Sequence, residues 1–432
     1  MRAYCAKLTK TVADRLVVKN MTWLWIVQLA NYLLPVLVIP FVTRALGVSV
    51  FGEVSYAQNI AVYFSILINF GFDYSATQDV ALHRNDASAL RTIFRTVVSV
   101  KFLFFIVSMF VLLVLYFCFS EVKQSPKLYF WAALFNLGYV LFPNWYFQGM
   151  ERMQTMSLLN LVIKALGAVL IIWLVRSAAD SVLYLFLLAV VFVVVGLVAF
   201  VMVVVDVRKE QQTYFYDKQL SRSVIKKSFP VFINNLANSL YWVAGVTIVG
   251  MYLTKADVGV YSGSQKLIQA CIMLSCMPFT VALFPKVSRL FAAENRQEAW
   301  SYYKRILLIG IAIGTLVALC IYIFAPLAVK ILLGSEFVES VAQVRMMSLI
   351  PLLVIVGTIL TVEGLYGLQM QRYAPLVGIL AGLVSVGLTL ILIPTWSTTG
   401  AIAGWYAAQL TEITIVSIIL LIKRKENTEI DR

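Results

Sequence analysis

Apolar residues in this chain fall in long tracts separated by short charged stretches; residues 102–119, 182–205, 306–329 and 374–393 are examples. A helix rising 1.5 Å per residue needs about 20 apolar residues to cross the hydrocarbon of a bilayer, so each tract predicts a membrane-spanning helix. Hydrocarbon cannot satisfy open backbone donors and acceptors, and the alternating strands of roughly 10 residues that build an outer-membrane barrel are absent. Segmentation predicts twelve spans, at about 21–43, 53–76, 97–119, 127–148, 155–175, 181–205, 228–252, 259–284, 306–328, 343–366, 374–393 and 400–422. Pro35, Pro40, Pro143, Pro278 and Pro351 interrupt several of them, which membrane helices tolerate when neighbours re-satisfy the freed carbonyls.

Composition strengthens this reading. The 432 residues are 61% hydrophobic and only 13% charged, with a mean hydropathy of +0.88. A soluble domain carries about 25% charged residues, so something other than water solvates much of this surface. Residues 1–19 are basic and polar, and no cleavable export signal is expected. The longest internal loop, 206–227, is too short for a core, so no soluble domain is expected.

The net charge of +14 tests the topology. With a cytoplasmic amino terminus, 25 of the 35 Lys and Arg residues fall in cytoplasmic segments, seven on the other side (Arg44, Lys123, Lys127, Arg176, Lys255, Lys330, Arg345) and three within spans. This positive-inside bias predicts both termini in the cytoplasm, and it accounts for the charge without a nucleic-acid partner. The halves also look related. Residues 45–52, with Ser55 and Gln58, align without a gap to 252–259, with Ser262 and Gln265, 207 positions later; Gly149 answers Gly367, 218 positions later. Two six-helix repeats of the same orientation are therefore expected, residues 1–215 and 216–432.

Catalytic and metal motifs are missing. His83 is the only histidine, no phosphate-binding glycine loop occurs, and the five cysteines are scattered, so neither an enzyme nor a bound cofactor or metal is expected. The informative residues are ionisable ones at membrane depth. Lys164 lies near the middle of the fifth span, Glu363 and Glu412 lie in the tenth and twelfth, Asp73 near the cytoplasmic end of the second, and Lys101 and Lys266 near span ends. A charge at mid-bilayer costs at least about 2.5–3.5 kcal/mol, so such groups face a cavity or a partner. In one reading Lys164, with Lys101 and Lys266, makes a positive cavity for an anionic head group, while Glu363, Glu412 or Asp73 carries a coupling proton. The structural alternative is pairing, with Lys101 and Lys266 snorkelling to a nearby interface.

Uncharged polar residues cluster as well. Gln28, Asn31 and Tyr32 share one helix face, Gln58, Asn59, Tyr63 and Asn69 lie in the second span, and Asn234, Asn235 and Asn238 share a face of the seventh. Amide and aromatic side chains suit a hydroxyl-rich ligand; hydrogen bonding between helices is the alternative for each. The run Asn144-Trp145-Tyr146-Phe147-Gln148-Gly149 reads as an interfacial aromatic belt before a tight glycine turn.

Three segments, Pro40-Phe41-Val42-Thr43-Arg44-Ala45-Leu46-Gly47 through Phe51-Gly52, then Asn69-Phe70-Gly71-Phe72 with Ala76-Thr77-Gln78-Asp79-Val80-Ala81, then Asn144 through Arg152, resemble the Wzx-type O-antigen flippases of the polysaccharide transporter family. The resemblance extends over about residues 15–420. It implies an all-α integral membrane protein with twelve transmembrane helices in two six-helix lobes, of the MATE-like MOP fold. The implied activity is translocation of an undecaprenyl-diphosphate-linked oligosaccharide from the cytoplasmic to the periplasmic leaflet of a bacterial inner membrane, by alternating access with proton antiport. An O-antigen polymerase and a chain-length regulator are the implied partners. Family cavities are cationic, and of the lysines here only Lys164 is expected to lie deep. Arg44, at the periplasmic end of the first span, is a phosphate contact on release or an interfacial anchor.

Two other readings remain at this stage, a small-cation or drug exporter of the same architecture and a scaffold for glycan assembly. The topology is tested by reporter fusions: those at His83 and Arg208 are expected to report the same, cytoplasmic side.

Overall fold

The computed structural model describes residues 2–207, 218–278, 287, 290 and 296–430, with side chains from residue 33 onward except at scattered positions. Every regular element described is a helix. In chain order these are α1 (Arg2–Asn69), α2 (Phe72–Leu82), α3 (Ala87–Cys118), α4 (Ser120–Gln124), α5 (Pro126–Leu141), α6 (Asn144–Gly149), α7 (Met153–Leu174) and α8 (Ser181–Val207), then α9 (Lys218–Tyr252), α10 (Lys255–Pro278), α11 (Arg296–Leu332), α12 (Ser340–Met346), α13 (Ile350–Thr358), α14 (Ala374–Trp396) and α15 (Thr398–Ile430). A π-helix, Ile359–Tyr366, continues α13.

Eight stretches among the described residues are long and apolar enough to cross a membrane. They fall on eight of the twelve expected segments. The other four are helical where described, but shorter or more polar: 21–43 runs into the following span through α1, 127–148 is divided between α5 and α6, and 228–252 and 259–284 lie in the polar α9 and α10. Among the described residues, length and apolarity mark eight spans.

The outward faces are oily. α3 exposes Phe102, Ile106, Phe110, Leu113 and Phe117, while α11 exposes Leu316, Leu319, Ile323 and Leu327. Outside water such faces cost nothing, and no other described element covers them. The opposite stripe of α3, at Phe94, Val97, Lys101, Phe105 and Ser108, is buried at helical spacing. At its start, the Asp86 carboxylate accepts the Ser88 and Ala89 amides. The Ala89 amide and the Ser88 hydroxyl hold that carboxyl below the usual range.

Two irregularities shape the bundle. α1 bends at Gly47, whose φ of 69° and ψ of 169° divide it into two arms. Its second arm ends at Asn69, followed by Phe70 and Gly71 with φ of 42° and 79°. Lys101 secures that break. Its ammonium donates to Asn69 Oδ1 at 3.0 Å and to the Tyr139 carbonyl at 3.1 Å. Four residues beyond Tyr139 stands Pro143, which has no N–H to complete the helix, so Lys101 supplies the missing donor. Lys101 is thus fully buried (1% exposed) and does not snorkel.

The repeat suspected around Gly149 and Gly367 is visible in the backbone. Glu151 and Gln369, 218 positions apart, both adopt φ of 59°. The Met150, Glu151 and Arg152 amides donate to the Tyr146, Gln148 and Phe147 carbonyls; the Leu368, Gln369 and Met370 amides donate to those of Gly364, Tyr366 and Leu365, all at 2.8–3.1 Å. One turn is built twice. The aromatic run before the first copy is not an interfacial belt: Trp145, Tyr146 and Phe147 are buried, and the first two pack on Phe94. Gly149 is needed for close approach, since a Cβ there would lie 2.6 Å from Val80 Cγ1 and 2.8 Å from the Thr77 carbonyl. Arg84 pins the turn through the Gly149 carbonyl (2.7 Å) and Glu151 (2.8 Å).

Lys101→Met preserves volume but leaves Asn69 Oδ1 and the Tyr139 carbonyl without their donor. An unmet buried acceptor costs about 1–3 kcal/mol. The detergent-solubilised variant is expected to melt several degrees lower on this scale, and an unchanged melting temperature would show that Lys101 is not structural.

Candidate functional site

The halves of the chain meet along the second arm of α1, which packs against α9 and α10. Asn59 is committed there: its Nδ2 donates to the Val243 carbonyl at 2.9 Å and to Thr247 Oγ1 at 2.7 Å, and the Tyr63 hydroxyl lies 3.0 Å from the same oxygen. These bonds tie one helix to another, as the structural alternative expected. Lys266 crosses the same seam in the other direction. Its ammonium lies 3.4 Å from Ser55 Oγ, 3.5 Å from Gln58 Oε1 and 4.6 Å from the centroid of the Phe51 ring. Tyr184 also bonds Gln58. The two bonds to Lys266 are long and its partners neutral; among the described residues no carboxylate pairs with it.

Lys164 is exposed, yet it does not face outward with the oily stripe of α7. At 100° per residue it falls on the stripe of Ala168, Ile171 and Val175, which are buried among Val38, Val42 and Leu46 of α1. The outward stripe runs through Val162, Leu166, Val169 and Trp173. The inward face of α7 is therefore apolar and packed toward Val175 but polar and open toward Gln154, Ser157 and Lys164. Lys164 is thus accessible on the side of α7 that is packed further along at Ala168, Ile171 and Val175.

The acidic candidates occupy the second half. A cavity of about 240 Å³ is lined by Asn234, Thr361, Tyr366, Val377, Gly378 and Glu412, among others. Glu412 accepts a 3.1 Å hydrogen bond from Thr361 on the π-helix, whose widened turn re-aims its side chains. The same π-helix carries Glu363, which is fully buried; among the described residues no donor reaches either of its carboxylate oxygens. Neither glutamate has a cationic partner among the described residues.

Other candidates are placed elsewhere. Asp73 is exposed on α2, near Lys101. Arg44 donates to the carbonyls of Ile331 (2.7 Å) and Lys330 (3.4 Å). In this state it satisfies the open carboxyl end of α11 instead of standing free as a lipid anchor. Gln28, Asn31, Tyr32 and Asn238 lie on helical backbone, but their side chains fall outside those described. The candidates thus form no single cluster. Lys266 and Asn59 share the seam, Lys164 is exposed on α7, Asn234 and Glu412 share a cavity, and Lys101, Asp73 and Arg44 stand apart. Gln58, Ser55, Tyr184 and Thr361 join these places although none was a leading candidate. The pairing of Ser55 and Gln58 with Ser262 and Gln265 across the repeat was their signal for the seam; Thr361 had none.

Two relatives carry the name "Putative O-antigen transporter". One, from Shigella dysenteriae, is 26% identical over 347 residues, 79% of this chain and 84% of its own length. The other, from Escherichia coli (strain K12), is 25% identical over 410 residues, 94% of this chain and 96% of its own. Among solved structures, an inward-facing multidrug resistance MATE family transporter of the MOP superfamily superposes with a TM-score of 0.67 at 14% identity, covering 93% of this chain and 95% of that one. The lipid II flippase MurJ in its inward closed conformation gives 0.64 at 13%, covering 91% and 86%. The family model of polysaccharide biosynthesis proteins matches residues 17–291, well over half of the sequence. The chain therefore belongs to the polysaccharide biosynthesis protein family, and it carries the multi-span fold of the MOP superfamily.

Proposed function

We propose that this protein is a flippase for an undecaprenyl-diphosphate-linked O-antigen repeat unit, carrying it from the cytoplasmic to the periplasmic leaflet of a bacterial inner membrane. The carrying observation is Lys266, a cation within the membrane seam whose partners among the described residues are neutral and held by long contacts. A cation held this loosely is available to an anionic ligand, and a diphosphate offers several charge-assisted bonds. Lys164, on the open inner face of α7, provides a second positive wall. Amides such as Gln58 and rings such as Tyr184 suit the sugars, while the polyprenyl tail stays in the lipid to which it is already matched.

The reading has two lobes, residues 1–215 and 216–432, with six helices each, twelve spans and both termini in the cytoplasm. They rock to open the seam to each side in turn. The twice-built turn and the charge bias support this plan. Glu412, bonded to Thr361 at a cavity, and Glu363, buried without a hydrogen-bond partner among the described residues, are the proton carriers in this scheme; exposed Asp73 lacks the shielding such a role requires. The released product would pass to an O-antigen polymerase and its chain-length regulator. The same acidic pair favours the second reading, an exporter of organic cations, which would take its charge from the second half and make no use of Lys266.

Proteoliposomes loaded with a defined lipid-linked oligosaccharide separate the two. Translocation is expected, driven by a proton gradient, with Lys266→Ala lowering the rate about tenfold, the factor set by about 1.4 kcal/mol of lost phosphate binding. Glu412→Gln is expected to remove the dependence on the gradient. Undiminished translocation by Lys266→Ala at equal protein level removes that lysine from the mechanism. No translocation of the glycolipid together with export of organic cations establishes the second reading.

A further inference from the structure

The related segments of the two halves do more than resemble one another; they touch, and they touch reciprocally. A Cβ at Gly52 would lie 1.9 Å from the Lys255 carbonyl oxygen and 2.7 Å from the Gly259 amide nitrogen, and a Cβ at Gly259 would lie 2.1 Å from the Val48 carbonyl oxygen. Gly52 and Gly259 are equivalent positions, 207 apart, and so are Val48 and Lys255. Each half thus presses its glycine against the other half's carbonyl, the arrangement of a two-fold, self-complementary contact. No side chain larger than hydrogen fits at either place, because the obstacle is backbone.

Other contacts gather around this crossing. Lys255 pairs with Glu53 at 2.9 Å, Phe51 meets Phe337 edge-on at 5.7 Å, and Arg44 holds the end of α11. Directly inside it lie Ser55, Gln58, Ser262 and Lys266, of which Gln58 and Lys266 are assigned to the ligand above. At the far end of the seam a separate set of contacts joins the halves: Phe70 stacks on Phe232 at 4.4 Å, Ser75 bonds Ser228 at 2.6 Å, and Asp79 pairs with Lys227.

We infer that the Gly52–Gly259 crossing is the seal that closes one end of the seam, and that it parts when this end opens. Arg44 is its latch, released from the α11 carbonyls on opening. Two glycines set against carbonyls let the helices meet at backbone distance. A single added methyl at either glycine is incompatible with the sealed state and favours the open one. The inference rests on the alternating-access part of the function proposed above and is independent of the substrate.

The test uses full-length protein with the native cysteines replaced and Ser262→Cys introduced as a probe one turn inside the seal, where the side chain is 3% exposed. A membrane-impermeant maleimide is applied to reconstituted protein. Gly52→Ala and Gly259→Ala are each expected to speed labelling about tenfold, a modest bias for a backbone clash. Gly387→Ala, whose Cβ meets nothing within 4 Å, is expected to label as the parent does. Equal labelling of all four proteins overturns the inference. Should the alanine variants fail to accumulate, Glu53→Cys with Lys255→Cys decides it: a short bis-maleimide is expected to cross-link the pair and slow labelling, and absence of the cross-link, or a cross-link that leaves labelling unchanged, overturns it equally. If labelling responds as expected while no glycolipid moves, the substrate assignment falls and the seal stands.

Discussion

Hydrocarbon cannot hydrogen-bond, and every feature of this molecule follows from the need to satisfy polar groups without its help. The backbone does so by remaining helical almost throughout. Where a helix stops short, a side chain completes it: Lys101 for the carbonyl that faces Pro143, Arg84 for Gly149, and Arg44 for the end of α11. These three cations bond carbonyls in place of carboxylates or in addition to them. In a bundle rich in basic residues and poor in acidic ones, that is how a positive charge can be kept within structure.

The same constraint separates the lysines from one another. Lys101 is spent on the break after Asn69, with strong bonds of about 3 Å to oxygen acceptors. Among the described residues Lys266 has only long contacts to neutral groups and a ring, and Lys164 is exposed. A cation with satisfied donors is part of the frame; one without them is free to bind. The distinction is invisible in charge or depth alone. The acids divide similarly, since Glu412 accepts a bond at a cavity wall whereas Glu363 is enclosed without one among the described residues.

Repetition supplies the remaining order. Two turns with identical hydrogen bonding, 218 positions apart, and two glycines that press on each other's partner carbonyls relate the halves as structures and not only as texts. The reciprocal contact needs both copies at once, so a change in either glycine acts on both halves. The Lys266 side chain lies in the seam next to this contact, so closure of that end and the surroundings of this cation are shared.

Sequence alone determined that the chain is helical, that oil covers its exterior, that its halves are related near Gly52 and Gly149, and that a handful of charges must turn inward. These follow from length, composition and spacing, which are properties of a line. Tertiary structure decided the rest. Lys101, expected near an interface, is locked in the core because α3 turns its stripe inward and Pro143 leaves a carbonyl open; Lys164 is exposed although it shares a helix face with buried Ala168 and Ile171. Arg44, read as a phosphate contact or an anchor, instead completes a helix almost 300 residues away in the chain. Spacing fixes which residues share a face, but which neighbour that face meets, and which unmet acceptor waits there, is set only when the helices pack.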